Sequence, residues 1–331
     1  MSNIPLTVAC GPYDHMEALS RGIVQPVGID VTYLGFQSPP EIFARMIKTN
    51  AFDISEMSLS SYFNQRSKGS FPFIALPVFP CRVFRHAYIY VNRDAGIATP
   101  KDLEGKKIGV QQYRQTAATW IRGILQHEYD VDLSGVTWVE GGVNAPRPPD
   151  ADMDLMPGRD IQITSAPSGK SINDLLESGE VVAYFGARQP DCFRTQDRIV
   201  RLFPDYREVE REFFDRTGIF PIMHTLVMRE ELHREKPWIA ENMVQAFEES
   251  KRWALEHMRF TGTMRYMVPW LNHELEEVDD MFAGGDPYPN GVQNNRKTLE
   301  TLMQYLVDQA FVEPPAPEVD DMFTPIVAWA E

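Results

Sequence analysis

The chain has 331 residues, 43% apolar and 24% charged, with a formal net charge of −15 and three cysteines. That length suffices for about two domains, and the acid excess without any Lys/Arg cluster excludes a phosphate-binding nucleic-acid surface. Cys10, Cys81 and Cys192 are widely spaced and form no C-x-x-C, so neither a disulfide framework nor a zinc ribbon is expected.

The N-terminal "MSNIPLTVAC" lacks a basic n-region and a long apolar h-region, which predicts no signal peptide and a cytoplasmic protein. No run approaches the ~18 apolar residues of a membrane span, so no membrane partner is expected. Residues 5–10 read as a strand, followed by the turn "GPYDH" and a helix over 16–22. Strand 30–36 and helix 39–49, with Pro in its first turn, come next. Strand 52–58 ends at Ser58, a plausible cap for the helix "LSSYFNQRS". Such a succession of β-α units implies a mainly parallel sheet.

After "FIALPVFP" the β-prone run 86–92 opens a second series: strand "KIGVQQ", helix 116–130, strand 136–142, helix 171–179 and strand 181–187. The apolar strand 219–229 follows, and the remainder is helical. Two β-α series with strands 86–92 and 222–228 between them predict an α/β protein of two lobes joined by two crossover strands. Lobe one would be 1–92 plus 225–331, and lobe two 93–224, with a ligand cleft between them. The stretch 143–170 carries five prolines and no helical period, and reads either as a lid or as a long surface loop.

Ligands of open α/β sheets bind beyond the carboxyl ends of strands. That rule selects Tyr13, Asp14 and His15; Ser55, Glu56 and Ser58; Arg82, Arg85 and His86; Gln112, Tyr113, Arg114 and Thr116; Arg188; and His224. Each has a plainer role to set beside the functional one. Thr116 can be simply the N-cap of its helix, Trp120 a core aromatic, and a histidine on a β-rich segment a hydrogen-bonded structural group. No H-E-x-x-H or carboxylate triad suggests a metal, no G-x-S-x-G a serine hydrolase, and no Gly-rich phosphate loop a nucleotide.

The segments "DISEMSLSSYF", "FRHAYIYVN", "IGVQQYRQTAATWIRGILQHEYDVDLS", "APRPPDADMDL" and "GGDPYPNGVQNNRKTLETLMQYLVDQ" together resemble the 4,5-dihydroxyphthalate decarboxylase family. The resemblance spans nearly the whole chain. It implies the two-lobed type 2 periplasmic-binding-protein-like fold, with a helical C-terminal region, and cofactor-independent decarboxylation of a dihydroxylated aromatic acid to a protocatechuate-type product. The chemistry requires a cationic clamp for the retained carboxylate, a partner for the para oxygen, a proton donor over the ipso carbon, and a cleft that excludes water.

Arg85, Arg114 and Arg188 are the residues expected to clamp carboxylates. His86 or His224 would transfer protons, and Glu56 would bind a catechol hydroxyl or orient a histidine. Tyr13, Ser58, Gln112, Tyr113 and Thr116 complete the expected substrate contacts, with no metal and no cofactor. The alternative reading is a non-catalytic solute-binding protein for an aromatic or heterocyclic carboxylate, of the kind that serves ABC transporters. A ligand-sensing effector domain is a third, weaker because no DNA-binding module accompanies the lobes. The small aromatic carboxylate is the expected partner, and a homo-oligomer is compatible with the chain.

Overall fold

In the computed structural model the described residues are 2–69, 71–147 and 161–326. The first series runs β1 (Ile4–Cys10), α1 (Glu17–Ser20), β2 (Ile29–Gly35), α2 (Pro39–Thr49), β3 (Ile54–Ser58), α3 (Leu59–Ser67) and β4 (Phe73–Arg82). Pro39 and Pro40 open α2, where a missing N–H costs nothing, and Asn50 closes it in the left-handed region. Ser58 caps α3 as expected, its hydroxyl accepting from the Ser61 N–H at 3.4 Å.

The second series comprises β5 (Ile89–Asn92), β6 (Lys107–Val110), α4 (Thr116–Tyr129), β7 (Thr137–Glu140), β8 (Ile163–Ser165), α5 (Ile172–Ser178), β9 (Ala183–Phe185), α6 (Cys192–Thr195), β10 (Ile199–Arg201) and α7 (Tyr206–Thr217). The chain then returns through β11 (Ile222–Arg229) to α8 (Glu230–Glu235), α9 (Trp238–Met258), α10 (Leu271–Met281) and α11 (Val292–Asp308). A capping box between Ser171 and Asp174 starts α5.

Two sheets result, in the orders β2-β1-β3-β11-β4 and β10-β5-β9-β6-β7-β8. Both are mixed rather than mainly parallel. β11 runs antiparallel to β3 and β4, and β5 antiparallel to β9 and β10, while the β-α units around them pair in parallel. The run 86–92 is only partly strand: His86–Tyr88 forms a 3-10 turn, and β5 begins at Ile89. Because β5 pairs in the second sheet, the passage between sheets lies at 83–88, ahead of the expected boundary at 92. Of the stretch 143–170, Ile163–Ser165 is the edge strand β8, whereas 148–160, and with them the lid reading, lie outside the described residues.

The two sheets are packed together through helices. α3, α4 and α11 meet in one apolar cluster that includes Phe63, Ile121, Leu125, Leu299, Leu302 and Leu306. α11 therefore rests on elements of both series rather than on the first alone. Trp120 is fully buried, stacks edge-on against Tyr305 at 5.5 Å and donates its indole N–H to the Ile222 carbonyl at 2.9 Å, which settles it as a core residue. Gly123 lets α4 approach α11, since a Cβ there would stand 2.0 Å from the buried Tyr305 ring.

Gly123→Ala gains ~1 kcal/mol of helix propensity but overpacks this contact, which costs typically ~1–3 kcal/mol. The expected outcome is a net loss of stability in urea unfolding, removed when Tyr305 is truncated to Ala in the same chain.

Candidate active site

β1 and β3 are parallel neighbours, and β11 lies antiparallel on the far side of β3. The register places His224 opposite Ser58 and Leu226 opposite Glu56. Residues two apart on a strand share a face, so Glu56 and His224 are diagonal neighbours across one pair of strands. Their side chains meet, with His224 Nδ1 2.5 Å from Glu56 Oε1. Tyr13 donates its hydroxyl to the same oxygen at 2.6 Å, and the Gly11 N–H donates to Oε2 at 2.8 Å, with the Cys10 thiol 3.5 Å away. Gly11 fits here because a Cβ would press to 2.6 Å from the Tyr13 ring; its carbonyl accepts from Tyr33 at 2.9 Å.

Glu56 is 0% exposed, and the His224 side chain is 18% exposed. Burial alone would raise the carboxyl pKa, but the charge of His224 and the hydrogen bonds from His224, Tyr13 and Gly11 hold it below the usual range. Burial would likewise discharge the imidazole. Cys81 and Glu56 outweigh it and push His224 up to about 10, so the ring is an imidazolium at neutral pH. Burial, together with the Glu56 charge, raises Tyr13 and keeps its phenol protonated as a donor. A buried carboxylate with three donors and one paired imidazolium is a satisfied group rather than a strained one.

The remaining expected residues divide. Ser58 and Thr116 come together from the two series: their hydroxyls lie 2.9 Å apart, and Thr116 Oγ1 also accepts the Ser60 N–H at 3.2 Å. Thr116 is thus not the cap of α4, a position held by Gln115; its hydroxyl joins the start of α4 to the start of α3. Arg114 is half-buried, its carbonyl accepting from Ser60 Oγ at 3.0 Å, and Gln112 lies in the same turn. Arg188 follows β9 and is exposed. The Tyr113 ring turns into the interior against Trp138 and Phe311, with the buried Arg122 guanidinium 3.7 Å above it.

Arg85 is 4% exposed, donates Nε to the Met223 sulphur at 3.1 Å and lies over the Tyr88 ring at 4.9 Å. Among the described residues it has no carboxylate at ion-pair distance, and burial lowers its pKa. Its ionisable neighbours are Cys81, Tyr88, Tyr184 and Glu210. Beyond Tyr88 opens a cavity of about 530 Å³ lined by Arg82, Phe84, Tyr88, Arg201, Glu210 and Phe220 among others; its lining includes neither Glu56 nor His224.

His86 is not brought to this group. It is 1% exposed in an aromatic cage of Tyr129, Phe203 and Phe213, neither ring nitrogen has a hydrogen-bond partner among the described residues, and burial lowers it to about 4. It is therefore neutral at pH 7 and packs as a ring. Sequence reasoning missed Gly11, Tyr33, Cys81, which faces His224 across the β4–β11 register, and Tyr288, whose ring lies 5.5 Å from that of His15. The first has a readable signal, a Gly immediately after a strand in "ACGPY"; the others depend on register and on chain return.

No family model matches the chain. A 4,5-dihydroxyphthalate decarboxylase of Comamonas testosteroni is 38% identical over 305 residues, covering 92% of this chain and 91% of that protein. The chain belongs to the 4,5-dihydroxyphthalate decarboxylase family. A second member, from Pseudomonas putida, is 39% identical over 193 residues, or 58% of this chain and 74% of that protein. Among solved structures, the periplasmic aliphatic sulphonate binding protein SsuA of Escherichia coli aligns with a TM-score of 0.53 at 12% identity, over 98% of both chains. The alkanesulfonate-binding protein SsuA of Xanthomonas axonopodis pv. citri, bound to MOPS, gives 0.51 at 11% identity, over 98% of this chain and 99% of that one. This decarboxylase-family chain therefore has the periplasmic-binding-protein fold, as the resemblance implied. Among the described residues no helix is long and apolar enough to cross a membrane.

Glu56→Gln removes the carboxylate partner of the buried His224 imidazolium, a loss of about 3–5 kcal/mol at pH 7. The folded Glu56 carboxyl titrates below its unfolded value, so its stabilisation is complete above the unfolded pKa and is lost as pH falls through the folded one. Urea unfolding from pH 7 downward should show the gap between parent and variant closing over that acid range.

Proposed function

We propose that the chain decarboxylates 4,5-dihydroxyphthalate to protocatechuate and carbon dioxide without an organic cofactor, in the cytoplasm. Family membership supports the reaction, and the buried Glu56–His224 pair is the observation that carries the assignment of roles. Each carboxyl of this substrate is para to a hydroxyl. Electron density from that oxygen lets the ipso carbon take a proton, giving a dienone, and loss of carbon dioxide restores the ring.

His224 donates that proton. It is charged at neutral pH, oriented through Nδ1 by Glu56 and partly open, whereas His86 is neutral and enclosed by rings. Arg85 is a buried cation with no carboxylate partner among the described residues, the kind of group a substrate carboxylate would neutralise with two parallel hydrogen bonds. Arg114 and Arg188, with Gln112, Ser58 and Thr116, would meet it from the facing strand ends, and Tyr13 would hold Glu56. The two sheets would move as lobes about the passage at 83–88 and the return ahead of β11, closing to exclude water from the departing carboxylate.

Purified protein should release carbon dioxide from 4,5-dihydroxyphthalate and yield protocatechuate by chromatography. His224→Gln should lower kcat by about 10²–10⁴, while His86→Gln keeps near-parental kcat. Arg85→Met should weaken substrate binding by about 2–5 kcal/mol, more than Arg188→Met. Binding by the parent without any carbon dioxide release would favour the solute-binding reading.

A further inference from the structure

The β4–β11 ladder is irregular at the site. Leu226 of β11 faces Leu76 and His224 faces Cys81, so two steps along β11 correspond to five along β4. Four residues of β4, Pro77, Val78, Phe79 and Pro80, thus stand opposite Thr225 alone, and the two prolines have no N–H for a ladder. The segment before α11 pins this bulge: the Gly291 N–H donates to the Pro77 carbonyl at 2.8 Å and Asn290 Oδ1 accepts the Phe79 N–H at 3.2 Å. Its consequence is to set the Cys81 side chain beside the imidazole of His224.

Cys81 differs from the other two thiols. Cys10 and Cys192 are buried, while Cys81 is half-buried. The ionisable groups around it are His224, Arg85, Glu56, Tyr13 and Tyr288, two of them cationic. Reactive thiols occupy electropositive, partly open surroundings of this kind, whereas structural ones sit among apolar groups.

We propose that Cys81 is a further catalytic residue of this site: as a thiolate paired with the His224 imidazolium, it is the base that takes the proton of the hydroxyl para to the leaving carboxyl. The inference rests on the decarboxylase reading. The cycle balances within the pair. The Cys81 thiolate accepts the hydroxyl proton, leaving a phenolate. His224 protonates the ipso carbon, and the phenolate electrons move into the ring to form the dienone. The C–C bond to the carboxylate breaks, carbon dioxide leaves, and its electron pair restores the aromatic ring and the phenolate. The Cys81 thiol returns its proton to that oxygen, and neutral His224 takes one from water, so one solvent proton is consumed per carbon dioxide released.

The other cations and acids favour this division. Glu56 already accepts four hydrogen bonds and cannot serve as the base without releasing His224. Burial raises Cys81, yet His224 and Arg85 bring it below an ordinary thiol.

The test compares parent, Cys81→Ser and His224→Gln. An ultraviolet pH titration of the parent, minus Cys81→Ser, should show one thiolate persisting well below the pH of an ordinary cysteine, and His224→Gln should move it upward. Cys81→Ser, isosteric but not ionisable near neutrality, should lose about 10²-fold or more in kcat, with unfolding in urea close to parental. Iodoacetamide should modify Cys81 before the other thiols, with phthalate, which lacks the hydroxyls, slowing it. Turnover of Cys81→Ser within a few-fold of the parent, or a thiolate that appears only at ordinary thiol pH in an active parent, would overturn the proposal. A parent with the low-pH thiolate but no carbon dioxide release would overturn the catalytic role together with the decarboxylase reading.

Discussion

A carboxylate with no solvent exposure is the constraint around which this protein is arranged. An isolated buried charge is so costly that the fold must supply its partners, and Glu56 receives them from separate parts of the chain: Gly11 and Tyr13 beyond β1, and His224 from β11. For His224 to arrive, the chain must pass through the second sheet and return antiparallel to β3. The antiparallel strand that departs from a simple β-α series is thus the one that brings the imidazolium. An acid held charged beside its carboxylate, with one edge open, is what proton donation to carbon requires.

The junction of the two series depends on a different set of contacts. Ser58, Ser60 and Thr116 join the starts of α3 and α4 through hydroxyls, and the apolar cluster of α3, α4 and α11 fixes those helices laterally. α11 touching elements of both series ties the C-terminal region to both sheets. Arg85 stands at the passage between the sheets, with the thiol of Cys81 and the carboxyl of Glu210, which burial pushes up to about 7, among its neighbours.

The fold shared with sulphonate-binding proteins shows how little a scaffold constrains chemistry. What this chain carries on that scaffold is a buried carboxylate–imidazole pair formed by two side chains on adjacent strands.

Much of the fold was legible in the sequence because strands and helices declare themselves locally. The prolines of α2, the cap at Ser58 and the apolar stripe of α4 are each decided within a few residues by backbone sterics and periodicity. The rule that ligands gather beyond strand ends also picked Tyr13, Glu56, Ser58 and His224 before their contacts were known. It could not separate His224 from His86, since both lie on segments that cross between the sheets; burial among Tyr129, Phe203 and Phe213 makes one a packed ring, and Glu56 makes the other a cation. Nor could it turn Tyr113 inward toward Trp138, move Thr116 from cap to interhelix contact, or set Cys81 beside His224. By itself the sequence determined which elements form and which residue types collect at their ends, because those depend on neighbours along the chain. Only the tertiary structure decided which of them meet and in what charge state, because register, a two-proline bulge and the loss of water on burial act between residues far apart in sequence.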